Sequence, residues 1–230
     1  MARYAIGDIH GCLVTFKALL NKINLNRYDE LYLLGDYINK GPDSKGVLDY
    51  LMQLQREGYQ LHCIRGNHDQ FLIDACEKGD DLIALPAEDR ELTLKSFGVK
   101  KLSQIPADYI TFLKRCPLIL ELPDFVLVHG GLNFSLPNPL HTSATDILNL
   151  KQIHPDRSKL NNRILLHGHL PIPVQQIKSA VQTKDAAVNL DGGCVYYRNR
   201  NLSRLIALNL DNFKLTVQIN AEMPYKIKIK

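Results

Sequence analysis

The chain has 230 residues, a formal charge of only +4, 45% hydrophobic and 23% charged residues. That composition is the ordinary soluble globular one, long enough for a sizeable core, so residues 1–230 are expected to form a single domain. It excludes a disordered or collagenous chain, and the absence of a basic block argues against nucleic acid as a partner. No apolar run approaches ~20 residues, so no membrane span or membrane partner is expected.

Taken in chain order, the first segment, 3–6 (RYAI), reads as a strand with no charged-then-apolar leader before it, so no secretory signal is expected. Leu13, Phe16, Leu19, Leu20 and Ile23 then fall on one helical face. A second strand is expected at 31–34 (LYLL). Val47, Leu48, Leu51, Met52 and Leu54 predict a helix capped by Asp43 or Ser44 and stopped at Gly58. A third strand at 61–64 (LHCI) completes a β-α-β-α-β pattern, the signature of a parallel core. Helices are expected near 69–78, 88–97 and 106–115, with Pro106 in the first turn of the last. Strands follow at 125–128 (FVLV), 164–166 (ILL) and 187–190 (AVNL). Residues 133–161 are polar and weakly periodic, a long excursion of the kind that carries substrate contacts. Segments 194–197, 204–209 and 213–219 read as a meander forming a second sheet on the first, and Lys226 to Lys230 as an exposed strand end. Five scattered cysteines without a C-x-x-C pair suit free thiols in a reducing cytosol, so a cytoplasmic location is expected. Cys12 is read as buried rather than catalytic.

Three segments carry the chemistry: Gly7-Asp8-Ile9-His10-Gly11, Gly35-Asp36-Tyr37 and Gly66-Asn67-His68-Asp69, each at the end of an expected strand. In open α/β sheets ligands gather outside the carboxyl ends of strands. Asp8 and His10, two apart, can reach one ion. Asp36 has two oxygens and can bridge two ions, and Asn67 offers a neutral carbonyl. His129 and His169 end two later strands, each beside glycine. Any one of these pairs alone is most simply a turn or a helix cap. Together, mixed N and O ligands without thiolate point to manganese first, with iron or zinc as alternatives. Two such ions ~3.5–4 Å apart polarise a phosphoryl group and generate hydroxide at neutral pH.

These motifs, with Gly35-Asp36-Tyr37-Ile38-Asn39-Lys40-Gly41, His129-Gly130-Gly131 and Gly168-His169, resemble the ordered motifs of the calcineurin-like metallophosphoesterases, and within them the phosphoprotein phosphatase group. The resemblance runs from residue 3 to about 210, through Asn189-Leu190-Asp191-Gly192-Gly193. It implies an α/β fold, a four-layer αββα sandwich of two mixed sheets flanked by helices. It also implies two divalent metal ions, the first held by Asp8, His10 and Asp36, the second by Asp36, Asn67, His129 and His169. His68 would be the general acid, and a metal-bridging hydroxide would attack phosphorus in line. Lys40, Asn67 and Lys151 would contact the substrate phosphate.

The departures lie in the second motif. The group's usual Asp partner of the catalytic His is Asn39, and its Arg is Lys40. Asn39 is expected to accept a hydrogen bond from His68 through its amide oxygen. Lys for Arg loses the bidentate fork but keeps the charge. The first reading is a Ser/Thr protein phosphatase-like phosphomonoesterase acting on a phosphorylated protein or a small phosphoester. An alternative is a diadenosine tetraphosphate (dinucleoside polyphosphate) hydrolase, towards which Asp69 and the Gly41-Pro42-Asp43-Ser44 run lean. A further alternative is a metal-binding pseudo-phosphatase, suggested by the missing Asp and Arg. Among the remaining residues, His167 and Arg65 are read as structural or supporting, His141 and His154 as exposed, His62 as a satisfied core histidine, and Tyr196-Tyr197 as sheet packing.

Overall fold

In the computed structural model residues 1–78 and 87–225 are described. The expected strand end at Lys226–Lys230 lies outside them. Strand β1 (Arg3–Ile6) leads through α1 (Leu13–Lys22) to β2 (Glu30–Leu33), and α2 (Ser44–Arg56) to β3 (Gln60–Cys63). Helices α3 (Asn67–Lys78), α4 (Ala87–Phe97) and α5 (Ala107–Arg115) follow, then β4 (Ile119–Glu121), β5 (Phe125–Val128), α6 (Ala144–Asn149), β6 (Ile164–His167), α7 (Val174–Thr183), β7 (Ala187–Asn189), β8 (Arg204–Asn209) and β9 (Leu215–Ile219). No helix among the described residues is long and apolar enough to cross a membrane.

The strands form two mixed sheets, ordered β3-β2-β1-β8-β9 and β4-β5-β6-β7. β1, β2 and β3 run parallel, with Ile6 opposite Leu33 and Leu33 opposite Cys63, so the three strands end level. β5, β6 and β7 are likewise parallel. Alternation along each strand divides the apolar side chains between layers. Ala5, Tyr32, Leu127, Leu166 and Leu208 face inward, into the core between the sheets. Ile6, Leu31, Leu33 and Ala207 face outward, under Phe16, Leu19, Leu48, Leu51 and Leu113 of the helices. Val126, Val128 and Leu165 face the other way, under Ile147 of α6 and the irregular segment carrying Leu132, Phe134 and Leu160. Four layers result, the fourth thin because α6, its one α-helix among the described residues, has six residues. Burying each such Leu or Ile contributes roughly 1.5–3 kcal/mol against chain entropy.

Several expectations are corrected. The second sheet is built from β4 to β7, whereas β8 and β9 extend the first sheet antiparallel to β1. Residues 194–197 are turns with one isolated bridge, Gly193 to Arg204. The reason is local: Tyr196 N–H bonds back to Gly193 O and Tyr197 N–H to Val195 O, so the chain turns on itself here and these two donors are lost to a ladder. Helix α7, unexpected from the sequence, begins after Pro173 and buries Ile177 and Val181 at the rim of the inter-sheet core. The polar excursion contains α6, capped by Ser143 Oγ on the Asp146 N–H.

Candidate metal centre

Sharp turns follow each strand end. His10, Asp36, Asn39, Lys40 and His169 all have positive φ, between 47° and 75°, although none is glycine. Such residues cost of order 1–3 kcal/mol each and persist only where surrounding contacts over-determine them. Those contacts are present. His10 N–H bonds Asp36 O (2.8 Å), Gly11 N–H bonds Tyr37 O (2.8 Å), and Gly168 N–H bonds His129 O (2.9 Å), so within each sheet neighbouring loops are stitched together. Asp69, fully buried, accepts three backbone N–H bonds, from Asp36 (2.9 Å), Tyr37 (3.1 Å) and Gly66 (2.9 Å). It therefore ties the second motif to the third. Glycine is required where carboxylates lie against the chain: a methyl at Gly66 would overlap Oδ1 of Asp36, and one at Gly168 would overlap Oδ1 of Asp8.

The six expected metal-ligating residues converge. Oδ2 of Asp36 lies 3.4 Å from His10 Nε2, which stands 3.9 Å from Asp8 Oδ2. Oδ1 of Asp36 lies 3.4 Å from His129 Nε2. Asn67 Oδ1 lies 2.9 Å from His129 Nε2 and 3.1 Å from His169 Nδ1. The Asp36 carboxylate thus turns one oxygen to each side, as a carboxylate that bridges through both oxygens would. Ligand atoms of Asp8, Asp36 and His129, and those of His10, Asp36 and His68, lie within 4.8 Å of one another.

Two features show that these donors fit a pair of cations. His10 Nδ1 meets Ile38 O (2.9 Å) and His129 Nδ1 meets Leu34 O (2.8 Å). A carbonyl only accepts, so both rings carry a proton on Nδ1 and turn Nε2 into the centre, the orientation of a metal-bound histidine. Negative charge is also left over. Burial, then the facing Asp191, push the Asp8 carboxyl well above its usual range. Burial pushes Asp191 up to about 6. For Asp36, burial is outweighed by the rings of His129, His68 and His10, which hold its carboxyl well below the usual range. For His129, burial is outweighed by Asp36 and Asp8, and its pKa is raised to about 10. A proton there stands where a divalent cation would do the same electrostatic work.

The neighbours of the centre are placed as follows. Lys40 Nζ lies 2.9 Å from His10 Nε2, donating to its lone pair. Lys151 is exposed, close enough for its charge to act on His169. His169 is half-buried and its Nε2 is the one buried side-chain N or O atom among the described residues without a partner. The His68 ring packs edge-on against His10 at 4.9 Å, and the His68 backbone N–H bonds Asp36 Oδ1 (3.0 Å).

Asn39 departs from expectation. Its amide nitrogen, not its oxygen, faces His68 Nδ1 (3.3 Å), because the oxygen is taken by the Thr93 hydroxyl (2.5 Å). Thr93, on α4, belongs to none of the motifs, and only its burial in the fold reveals it. Asp191 was legible as a motif neighbour but not as a charge facing Asp8. Arg65 instead binds the carbonyls of Leu113, Lys114 and Cys116 at the end of α5. His62 stacks on Tyr32 (4.7 Å), His167 bonds Gly168 O (3.3 Å), and His141 and His154 are exposed. Tyr197 packs on Tyr225 (4.8 Å), and Cys12 is buried.

A crystal structure provisionally named a diadenosine tetraphosphatase superposes with a TM-score of 0.67 at 23% identity, covering 95% of this chain and 93% of that one. At that identity the likeness shows the fold alone. The symmetrical bis(5'-nucleosyl)-tetraphosphatase of Ectopseudomonas mendocina is 38% identical over 154 residues, 63% of this chain and 50% of the relative. That of Pseudomonas syringae is 40% identical over 99 residues, 40% of this chain and 33% of the relative. The chain thus spans a third to a half of the length of these two relatives. The calcineurin-like phosphoesterase family model matches residues 1–221, and with the convergent ligand set this places the chain in that family.

Proposed function

We propose that the chain hydrolyses dinucleoside polyphosphates, splitting a diadenosine tetraphosphate-like substrate symmetrically into two nucleoside diphosphates. The likeness to symmetrical bis(5'-nucleosyl)-tetraphosphatases carries the reading over the Ser/Thr phosphatase alternative. Asn39 adds chemical support, because a centre without the Asp partner suits a phosphoanhydride better than an alkyl phosphate. A cavity of about 310 Å³ is lined by Leu132, Phe134, Leu150 and Ile153, with Asn133, Ser135, Gln152 and His154 as its polar residues. Along the chain its lining begins three residues after His129 and brackets Lys151. An apolar hollow with a few polar groups, at the low end of ligand-site volumes (~300–1,000 Å³), suits a nucleobase whose phosphates reach the centre.

Asp8, His10 and Asp36 would hold one ion, and Asp36, Asn67, His129 and His169 the other. When bound, the ions polarise the phosphoryl oxygens and lower the pKa of water. The chain's own residues do the rest. Lys40 and Lys151 hold the phosphate oxygens as point charges. His68 donates a hydrogen bond to the bridging oxygen that leaves with one nucleoside diphosphate, while the other product takes the water oxygen. Asp69 and the carbonyls of Ile38 and Leu34 keep the ligands in place.

The test is a manganese-loaded assay against diadenosine tetraphosphate, a phosphoserine peptide and nitrophenyl phosphate, with products separated chromatographically. ADP as the sole nucleotide product is expected. Turnover of the phosphopeptide with no release of ADP overturns the proposal. No turnover of any of the three, with metal bound, establishes the pseudo-phosphatase instead.

A further inference from the structure

The protons around Asn39 can be followed one by one. Asn39, Ser44 and Thr93 are each fully buried. The Asn39 backbone N–H donates to Ser44 Oγ (2.9 Å), which stands 3.2 Å from Thr93 Oγ1, a contact either hydroxyl can donate. The Thr93 proton has three acceptors in reach, Asn39 Oδ1 at 2.5 Å, Ser44 Oγ at 3.2 Å and Asp89 O at 3.4 Å; the nearest takes it, which leaves the Ser44 proton for Thr93 Oγ1. With its oxygen engaged, the amide presents Nδ2 to His68, 3.3 Å from Nδ1 and 3.5 Å from the backbone O. An NH₂ group only donates, so Nδ1 offers its lone pair and the ring proton sits on Nε2. Turning the amide over would set its oxygen against the His68 carbonyl, with no proton between them.

We infer that the Ser44–Thr93 hydroxyl pair is a positioning device that orients the Asn39 amide, fixes His68 as the Nε2–H tautomer, and so matches the centre to leaving groups that depart as stable anions. An Asp at this position would accept from Nδ1–H and support a charged ring able to give up a full proton. An amide that donates to Nδ1 leaves a neutral ring that supplies a hydrogen bond. A phosphate leaving oxygen, with a pKa of ~6, departs with that help. An alkoxide, whose parent alcohol is about as weakly acidic as water (~16), needs the whole proton. The leaving-group part rests on the proposed phosphoanhydride substrate; the tautomer part does not.

The metal-free protein labelled with ¹⁵N-histidine reads the tautomer directly through long-range ¹⁵N–¹H correlation at neutral pH. Wild type and Thr93→Ser are expected to show His68 with Nδ1 bare and Nε2 protonated. Thr93→Val is expected to mix the tautomers, and Asn39→Asp to move the proton to Nδ1. A protonated Nδ1 in wild type, or the same signature in wild type and Asn39→Asp, overturns the inference. The second readout is the ratio of kcat on nitrophenyl phosphate to kcat on an alkyl phosphate, both manganese-loaded. Asn39→Asp is expected to shrink that ratio by about 10²-fold, the usual worth of a general acid. An unchanged ratio overturns the leaving-group assignment. Both probes are monoesters, so failure to cleave diadenosine tetraphosphate sinks the proposed substrate without touching either readout.

Discussion

Asp69→Ala tests how the centre is built. The carboxylate accepts three backbone N–H groups, at 2.9, 3.1 and 2.9 Å, inside a site closed to solvent. Alanine leaves all three donors buried and unpaired. Each costs about 1–3 kcal/mol, so about 3–6 kcal/mol is expected after some water enters the space. That is a large part of a domain's total stability of ~5–15 kcal/mol. The same N–H groups belong to Asp36, Tyr37 and Gly66, so the bridging carboxylate and Asn67 should lose their alignment, with metal affinity falling about 10–100-fold. Urea unfolding of the metal-free protein gives the first quantity from the midpoint and slope. Calorimetric manganese titration gives the second. A loss under about 1 kcal/mol with unchanged affinity would refute the idea that Asp69 ties the second motif to the third.

Gly168→Ala places a methyl on Oδ1 of Asp8, which cannot move without breaking the bonds it accepts from the His169 N–H (both 3.2 Å). Metal binding should weaken at least about 10-fold while the far end of the sheet keeps its hydrogen-exchange protection; wild-type affinity would show that the approach is not tight. Manganese uptake should release a proton from His129, whose folded pKa is raised to about 10. The sign follows: that proton's contribution to the metal-free fold is full below its ordinary value near 6.5 and is lost as pH rises through about 10, while manganese affinity climbs over the same interval. Calorimetry in buffers of different ionisation enthalpy should find this proton, and a release of zero at neutral pH would count against the charge distribution described. Lys151→Ala, exposed and off the ligand set, should raise KM for diadenosine tetraphosphate about 10-fold with little effect on stability. An unchanged KM would remove Lys151 from the phosphate path. Gln152→Ala should raise that KM too while leaving nitrophenyl phosphate kinetics alone, and equal effects on both substrates would argue against a nucleobase in the cavity that Gln152 lines.

Strand ends, helix caps and the order of motifs follow from local rules, and these were legible. Asp43 caps α2 through the Gly46 N–H (2.8 Å), and the first three strands fall within one residue of where their apolar runs stand. The six converging ligands could be named because each ends a strand beside glycine. What was not legible depends on partners distant in sequence. The β8–β9 hairpin joins the first sheet only because β1 has a free edge to receive it, and nothing in residues 204–219 records that edge. Helix α7 was hidden because its short apolar face, Ile177 and Val181, makes sense only at the rim of a core assembled from other segments.

Asn39 shows the same division at the scale of one proton. Its residue type states that the charge of an aspartate is missing, and composition and spacing take the matter no further. Which end of the amide meets His68 depends on Thr93, 54 positions along the chain. Hydrogen-bond direction is a property of the closed network. The primary structure therefore determined which atoms could bind cations and phosphate, since those are intrinsic to the side chains. Only the folded chain decided which lone pairs and which protons face one another, because that requires every buried donor to find an acceptor at once.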